Sequence, residues 1–366
     1  MGRLIWMRVG IMGERIDYQY MYVLGLESSC DDCSASVLEE TTGGPIVRSL
    51  VRKGQDNVHA PYGGVVPELA AREHLVQIRS VIEEALKQAN LSITQMNRIA
   101  VTQGPGLVGS LLCTLSAAKA LAWQHGIPLV PVHHILGHLN AARIAHPDLP
   151  MPALTLIVSG GHTHLYLSRH WTDLQLIQKT RDDAAGEAFD KTARMLNLGY
   201  PGGPIVDKCG QKATHLAPPF TAPKFSDGHA SWSFSGLKTG VRQRLLDQPA
   251  LTQGGADDPQ VQALCHRLQT TIAEWLLAPL AEYAHRYQVK SLIVSGGVAC
   301  NSELRKQSQA LASELGLSLA IPEPRYCTDN GAMIASAGAL LPILEDFTSL
   351  NADPDLRLPQ FETRAS

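Results

Sequence analysis

No stretch of this chain approaches the ~18 consecutive apolar residues that a membrane span requires. Residues 1–20 hold only short apolar pieces, LIWM and VGIM, broken by Arg8, so they make neither a secretory h-region nor a transit peptide. They are expected to be a disordered extension, with Met21 an alternative start. A basic field is also missing: the formal charge is −3, so a nucleic-acid partner must be met by a local patch or by a second subunit. The 7 cysteines are odd in number and scattered, which argues against a disulfide framework and for a reducing compartment. Cys30 and Cys33 form a CxxC, but no second pair at zinc-site spacing follows. With 366 residues, 45% hydrophobic and 18% charged, the chain is expected to make one large or two medium soluble domains.

What is present centres on His134-Ile-Leu-Gly-His138, just after the apolar run IPLVPV at 127–132. On a helix, residues four apart stack on one face, so both imidazoles can converge on one metal ion. Position 135 is Ile, where an HExxH peptidase carries its general-base Glu, so any metal here serves another chemistry. In RYCTDNGAMIASAGALLPIL (325–344) a polar turn enters a small-residue helix, with Asp329 and Asn330 at its mouth. Asp329 can cap that helix or complete a three-ligand site with open positions. His162 and His164 share one face of a strand and read as supporting or core histidines.

YVLGLESSCDDCSASVLEE (22–40) reads as strand, acidic turn, strand, closed by Gly43-Gly44-Pro45. Its turn, Ser28 to Asp32, can face a phosphate or remain an ordinary polar turn. Pro67-Glu68 suits a first helical turn, and apolar residues at 75, 78, 81, 82, 85, 86 and 89 define one face, for the core or for a partner. Gly104, Gly106 and Gly109 satisfy GxGxxG, but the next strand ends in His133-His134 rather than an acid, so the dinucleotide reading fails. Close backbone approach and an anion-holding helix start are what remain of it. LIVSGG occurs twice, at 156–161 and 292–297, the second copy leading into a helix. A strand ending in Ser-Gly-Gly exposes N–H groups without Cβ bulk, which suits phosphate or ribose. Between the copies, a helix carrying Glu187, Asp190 and Lys191 is expected to end at Gly199, before a Gly-Gly turn and Asp207. Helices over 261–289 should kink at Pro279.

From Met21 to about Leu344 these motifs resemble the TsaD (Gcp, Kae/OSGEP) family of tRNA N6-adenosine threonylcarbamoyltransferases. The strings are GLESSCDD, YGGVVPELAAREH, GPGLVGSL, HHILGHL, IVSGGHT, GEAFDKTARMLNLGYPGGP, SFSGLKT, SGGVACN and CTDNGAMIA. Ser28 stands where the family often has Thr, and Asp32 where it often has Glu; a hydroxyl and a carboxylate are kept. The resemblance implies an α/β protein of the actin-like, sugar-kinase, Hsp70-like ATPase fold, two duplicated lobes clasping a nucleotide cleft. The lobes are expected at 21–131, completed by a helix at 330–350, and at 132–329, with a flexible tail at 351–366. It implies one divalent metal, iron or else zinc, on His134, His138 and Asp329. It also implies substrate contacts from Ile157, Val158, Ser159, Gly160, Gly161, Asp190, Gly203, Asp207 and Asn301. The reaction implied is transfer of threonylcarbamoyl from threonylcarbamoyl-AMP to N6 of adenosine 37 in tRNAs reading codons that begin with A, in the cytoplasm. The partners implied are tRNA, a paralogous TsaB-like subunit and a small TsaE-like P-loop ATPase. Asp31 is the candidate to orient the amine or take its proton. The rivals are a metal-dependent peptidase, a small-molecule kinase of the same fold and a non-catalytic interaction protein.

Overall fold

The structure is a computed structural model and describes residues 20–222 and 231–358. The extension expected at 1–20 lies outside them except for Tyr20, which begins the first strand. The first half runs β1 (Tyr20–Glu27), β2 (Cys33–Thr41), β3 (Gly44–Lys53), α1 (Asp56–His59), α2 (Pro67–Gln88), β4 (Arg98–Gly104), α3 (Val108–His125), β5 (Leu129–His133) and α4 (His134–Arg143). The second half opens with β6 (Ala153–Val158), β7 (Thr163–His170), β8 (Asp173–Lys179), α5 (Ala185–Met195), α6 (Gly202–Gly210), α7 (Ser235–Asp247), α8 (Leu251–Gly254), α9 (Pro259–Leu277) and α10 (Leu280–Tyr287). It closes with β9 (Ser291–Ser295), α11 (Ser302–Leu315), β10 (Ser318–Ala320), α12 (Pro324–Cys327) and α13 (Gly331–Leu340).

Each half builds a five-stranded sheet of one topology. The orders are β3-β2-β1-β4-β5 and β8-β7-β6-β9-β10, with the first three strands of each antiparallel and the rest parallel. The two LIVSGG copies occupy neighbouring parallel strands, Leu156 beside Val294, and the second does lead into a helix, α11.

Burial on both faces explains why the central strands read as continuous apolar runs rather than as alternating ones. Leu24, Leu26, Ile99 and Val101 point to one side and pack on Ile78 and Val81 of α2 and Leu115 of α3. Val23, Ala100, Val130 and Val132 point to the other and pack on α13. In the second sheet, Leu154, Leu156, Val158, Leu292 and Val294 meet α5, α9 and α11, while Ala153, Ile157 and Ile293 meet Ile135 and Leu139 of α4.

The helix that ends each half therefore covers the other half's sheet: α4 lies on the second, α13 on the first, and the two pack on each other. Small residues permit it. A Cβ on Gly25 of β1 would stand 2.1 Å from the Gly331 carbonyl oxygen, and one on Gly137 of α4 would stand 2.7 Å from Ile334 Cδ1.

Several sequence expectations shift. Leu75 is not on the buried face of α2; Ala70, His74, Ile78, Val81, Ile82 and Ala85 are, and Leu75 and Val76 face outward. Pro279 separates two helices instead of kinking one, because it opens α10 directly after α9 ends at Leu277. The helix carrying Asp190 stops at Met195, and Gly202-Gly203 is the first turn of α6. Of the tail expected at 351–366, residues 359–366 lie outside the described residues, and 351–358 lie against the first sheet: Asp353 N–H bonds to the Gln103 carbonyl and Leu356 O sits 3.1 Å from His133 Nε2.

Candidate metal centre and active cleft

The sequence sets α4 by local rules. His133, last residue of β5, caps it by accepting the Ile135 N–H at 3.1 Å, so the helix begins at His134 and projects His134 and His138 one turn apart. Their ring centroids are 4.6 Å apart at 80°. The third group arrives 191 positions later from the far side of the helix crossing. Asn330, not Asp329, caps α13, accepting the Met333 N–H at 3.0 Å and donating to the Thr328 carbonyl at 2.7 Å. Asp329 is thereby released from the capping role and turned to the histidines, with Oδ1 3.6 Å from His134 Nε2 and 3.3 Å from His138 Nε2. The three ligand atoms lie within 4.8 Å of one another.

The residues fit a cation. His138 is fully buried, yet neither ring nitrogen has a hydrogen-bond partner among the described residues, since its approach to Asp329 lacks hydrogen-bond alignment. An orphaned buried imidazole is costly, and a metal ion would satisfy it. Two imidazoles and one carboxylate form the donor set that holds iron(II) with open positions, and zinc accepts the same atoms.

Behind the ligands stands Glu27, which motif reading did not single out. This carboxylate closes β1 in full burial, 3.3 Å from His134 Nδ1, and accepts from Thr102 Oγ1 at 2.6 Å. A carboxylate behind a ligand histidine fixes the ring and raises its basicity. The only sequence signal was an acid at the end of an otherwise apolar strand. Burial pushes the His134 pKa down, but Asp329 and Glu27 outweigh it and lift it to about 9. Asp329 is held below the usual carboxylate range: burial opposes ionisation, and His134 and His138 overcome it. His162 lies 6.1 Å from His134 and 5.3 Å from His164, ring to ring; burial first and then the neighbouring histidines depress it to about 3, so it stands as a neutral neighbour of the cluster.

The other candidate residues divide into open and occupied groups. Ser159, Gly160 and Gly161 lie at the β6–β7 turn, and a Cβ on Gly160, Gly161 or Gly203 would meet nothing within 4 Å. Ile157 and Val158 are not part of that open face; both side chains are buried in the second lobe's core, leaving only backbone for a ligand. Asp190 accepts the Gly202 N–H at 2.8 Å and so holds the first turn of α6. Asp207 takes Ser302 N–H and Oγ, and Asn301 caps α11 while donating to Gln269 at 3.0 Å. All three are thus engaged in bonds of their own. Asp31 lies in the β1–β2 turn; burial lifts its carboxyl above the usual range, with Cys30 opposing. The glycine turn at 104–109 gives close approach, a Cβ on Gly106 falling 2.5 Å from the Ser29 carbonyl oxygen. It is not an open anion cradle, because Gly106 N–H bonds to the Pro354 carbonyl and Leu107 N–H to that of Ser29.

A family model described as TsaD, tRNA N6-adenosine threonylcarbamoyltransferase, matches residues 47–336. A protein of that name from Pelobacter propionicus is 46% identical over 318 residues, covering 87% of this chain and 91% of its own length. Another from Anoxybacillus flavithermus is 43% identical over 352 residues, covering 95% of this chain and 100% of its own. Among solved structures, T. kodakarensis HypF superposes with a TM-score of 0.55 at 14% identity, over 88% of this chain and 48% of that one. Component A of the Acidaminococcus fermentans (R)-2-hydroxyglutaryl-CoA dehydratase gives 0.51 at 16% identity, over 87% and 96%. These likenesses concern the fold, which is that of the actin-like and sugar-kinase ATPases.

Proposed function

Since the chain belongs to the TsaD family of tRNA N6-adenosine threonylcarbamoyltransferases, it transfers a threonylcarbamoyl group to N6 of adenosine in tRNA, and we propose that the transfer takes place in the cleft beside His134, His138 and Asp329. The donor we propose is threonylcarbamoyl-AMP, and the acceptor is adenosine 37 of tRNAs reading codons that begin with A. The single observation that carries the reading is the triad itself, two buried imidazoles on α4 and the half-buried carboxylate just before α13, around a His138 ring with no hydrogen-bond partner among the described residues.

The donor is a mixed anhydride, so its carbonyl is activated and AMP is a competent leaving group. The enzyme must supply position and charge stabilisation. The N6 nitrogen attacks the carbamoyl carbon, the bond from that carbon to the phosphate oxygen breaks, and N6 loses one proton. Backbone at Ser159, Gly160, Gly161 and Gly203 is open for the phosphate and ribose. Asp190, Asp207 and Asn301 hold that wall in shape. Asp31 orients the amine and takes its proton; burial makes its carboxylate a stronger base than usual. His134, His138 and Asp329 would hold an iron(II) ion, or zinc in its place, with Glu27 fixing His134. When bound, that ion supplies Lewis-acid polarisation of donor oxygens.

A metallopeptidase is disfavoured because position 135, where such an enzyme carries its catalytic Glu, is an Ile packed into the second lobe's core. The partners we propose are a TsaB-like subunit and a TsaE-like ATPase. Leu75 and Val76 on α2, with Val108 and Leu112 on the adjoining α3, offer an exposed apolar face for the first. No helix among the described residues is long and apolar enough to cross a membrane, and we propose a cytoplasmic site of action. The test is mass analysis of tRNA nucleosides after incubation with threonine, bicarbonate, ATP, the partner subunits and a synthase for the intermediate. Threonylcarbamoyladenosine must form with the wild-type protein and be lost with His138→Ala; equal product from both would reject the proposed centre.

A further inference from the structure

Residues 55–66 bond to both walls of the cleft. Toward the second lobe, Arg194 of α5 donates from Nη2 to the Tyr62 carbonyl at 2.7 Å. Its guanidinium lies directly against Gly63, which turns at φ +66°; a Cβ there would fall 1.7 Å from Nη2. Toward the first lobe runs a chain of buried polar groups. His59 Nδ1 accepts the Val66 N–H at 3.2 Å, so its proton is on Nε2, which lies 3.1 Å from Gln55 Oε1. Gln55 Nε2 donates to the Ala70 carbonyl at 3.3 Å and lies 3.4 Å from His74 Nδ1. His74 Nε2 reaches the Cys30 carbonyl at 2.8 Å. His59 and His74 are fully buried, and Gln55 nearly so.

His59 donates to Gln55 and His74 donates to the Cys30 carbonyl; between them the Gln55 amide nitrogen packs on the His74 ring, 3.4 Å from Nδ1 and 3.5 Å from Nε2. A buried network satisfied in this way has one geometry. Its last acceptor is the carbonyl immediately before Asp31. Its other end is tied to α5, the helix whose Asp190 holds the first turn of α6 beside Gly203.

We propose that residues 55–66 form a strap through which Arg194 and His74 act as positioning residues for the transfer. Seating of the donor against the α5–α6 wall sets the Cys30–Asp32 turn that receives the acceptor amine. This rests on the reading that Gly203 and Asp31 face the two substrates.

The test uses the full chain with its partner subunits. Arg194→Met removes the bond to Tyr62 on the surface and spares the fold. It should lower kcat about tenfold, the scale of a small misplacement of a reacting group, with KM for threonylcarbamoyl-AMP within about twofold. His74→Leu should give the same pattern and His74→Gln, which keeps a donor, should restore most of kcat. Because both residues lie on one path, the double variant Arg194→Met/His74→Leu should be no slower than the slower single one. Hydrogen exchange gives a readout apart from turnover. AMP added to the wild-type protein should protect 159–161, 203 and 29–33; in Arg194→Met the protection at 29–33 should vanish while the rest persists. Multiplying losses in the double variant, or undiminished protection at 29–33 in Arg194→Met, would overturn the strap alone. No protection at 159–161 and 203 in the wild-type protein would overturn the donor-site reading and the strap with it.

Discussion

Gly25→Ala tests whether close packing of α13 on β1 is what delivers Asp329 to the histidines. The added Cβ would lie 2.1 Å from the Gly331 carbonyl oxygen, 2.5 Å from Ala335 N and 2.7 Å from Ala335 Cβ. The first two atoms are backbone, so no side chain can swing away. Ordinary contact begins near 3.4 Å, so α13 must retreat by roughly 1 Å, in the range where overpacking costs about 1–3 kcal/mol. Asp329 is two residues before Gly331 and must move with it. Urea denaturation of metal-free protein should show a loss of about 2 kcal/mol. Chelator competition should show iron(II) or zinc affinity falling at least about tenfold, as for other faults in the support of a metal ligand. Gly236→Ala is the control: a Cβ there meets nothing within 4 Å, and neither quantity should fall. Wild-type stability together with wild-type metal affinity in Gly25→Ala would refute the argument that this packing places Asp329.

His138→Ala should leave metal-free stability within about 1 kcal/mol, because the lost packing is offset by removing an orphaned buried ring, while chelator competition shows metal binding abolished. Asn330→Ala and Asp329→Ala should separate cap from ligand: the first costs about 1 kcal/mol in urea denaturation and keeps metal binding, the second abolishes metal binding and in metal-free protein also removes the pairing that raises His134. In metal-free protein, His134, with its pKa raised to about 9, contributes stability in full below about pH 6.5 and loses it as pH rises through about 9. Asp329 and Glu27, both lowered, contribute above their usual ranges and lose that contribution in acid. Thermal melts in chelator should therefore be highest between about pH 4.5 and 6.5 as far as this cluster decides. Metal-loaded protein should show the opposite trend over pH 6.5–9, since protons compete for the ligands; parallel curves would reject the cluster as the metal's binding site.

Local rules made much of this protein legible. Four-residue spacing put His134 and His138 on one face before any fold was known, and the second LIVSGG announced a second strand-turn unit, whose place beside the first in one sheet came only from the fold. The long motif strings identified the family, and Ile135 removed the peptidase. Where two neighbouring residues could do one job, only tertiary structure chose: Asn330 caps α13 and frees Asp329, a decision made by the direction in which the loop enters the helix crossing. Glu27 was invisible because nothing local marks an acid at a strand end as the support of a histidine more than a hundred positions away. The resemblance implied contacts from Ile157 and Val158, and α4 and the second lobe's core cover both of their side chains, so only their backbone could meet a ligand. Spacing along the chain fixes what one helix or strand presents; which distant groups meet depends on the exchange of α4 and α13 between the sheets, and that is a property of packing.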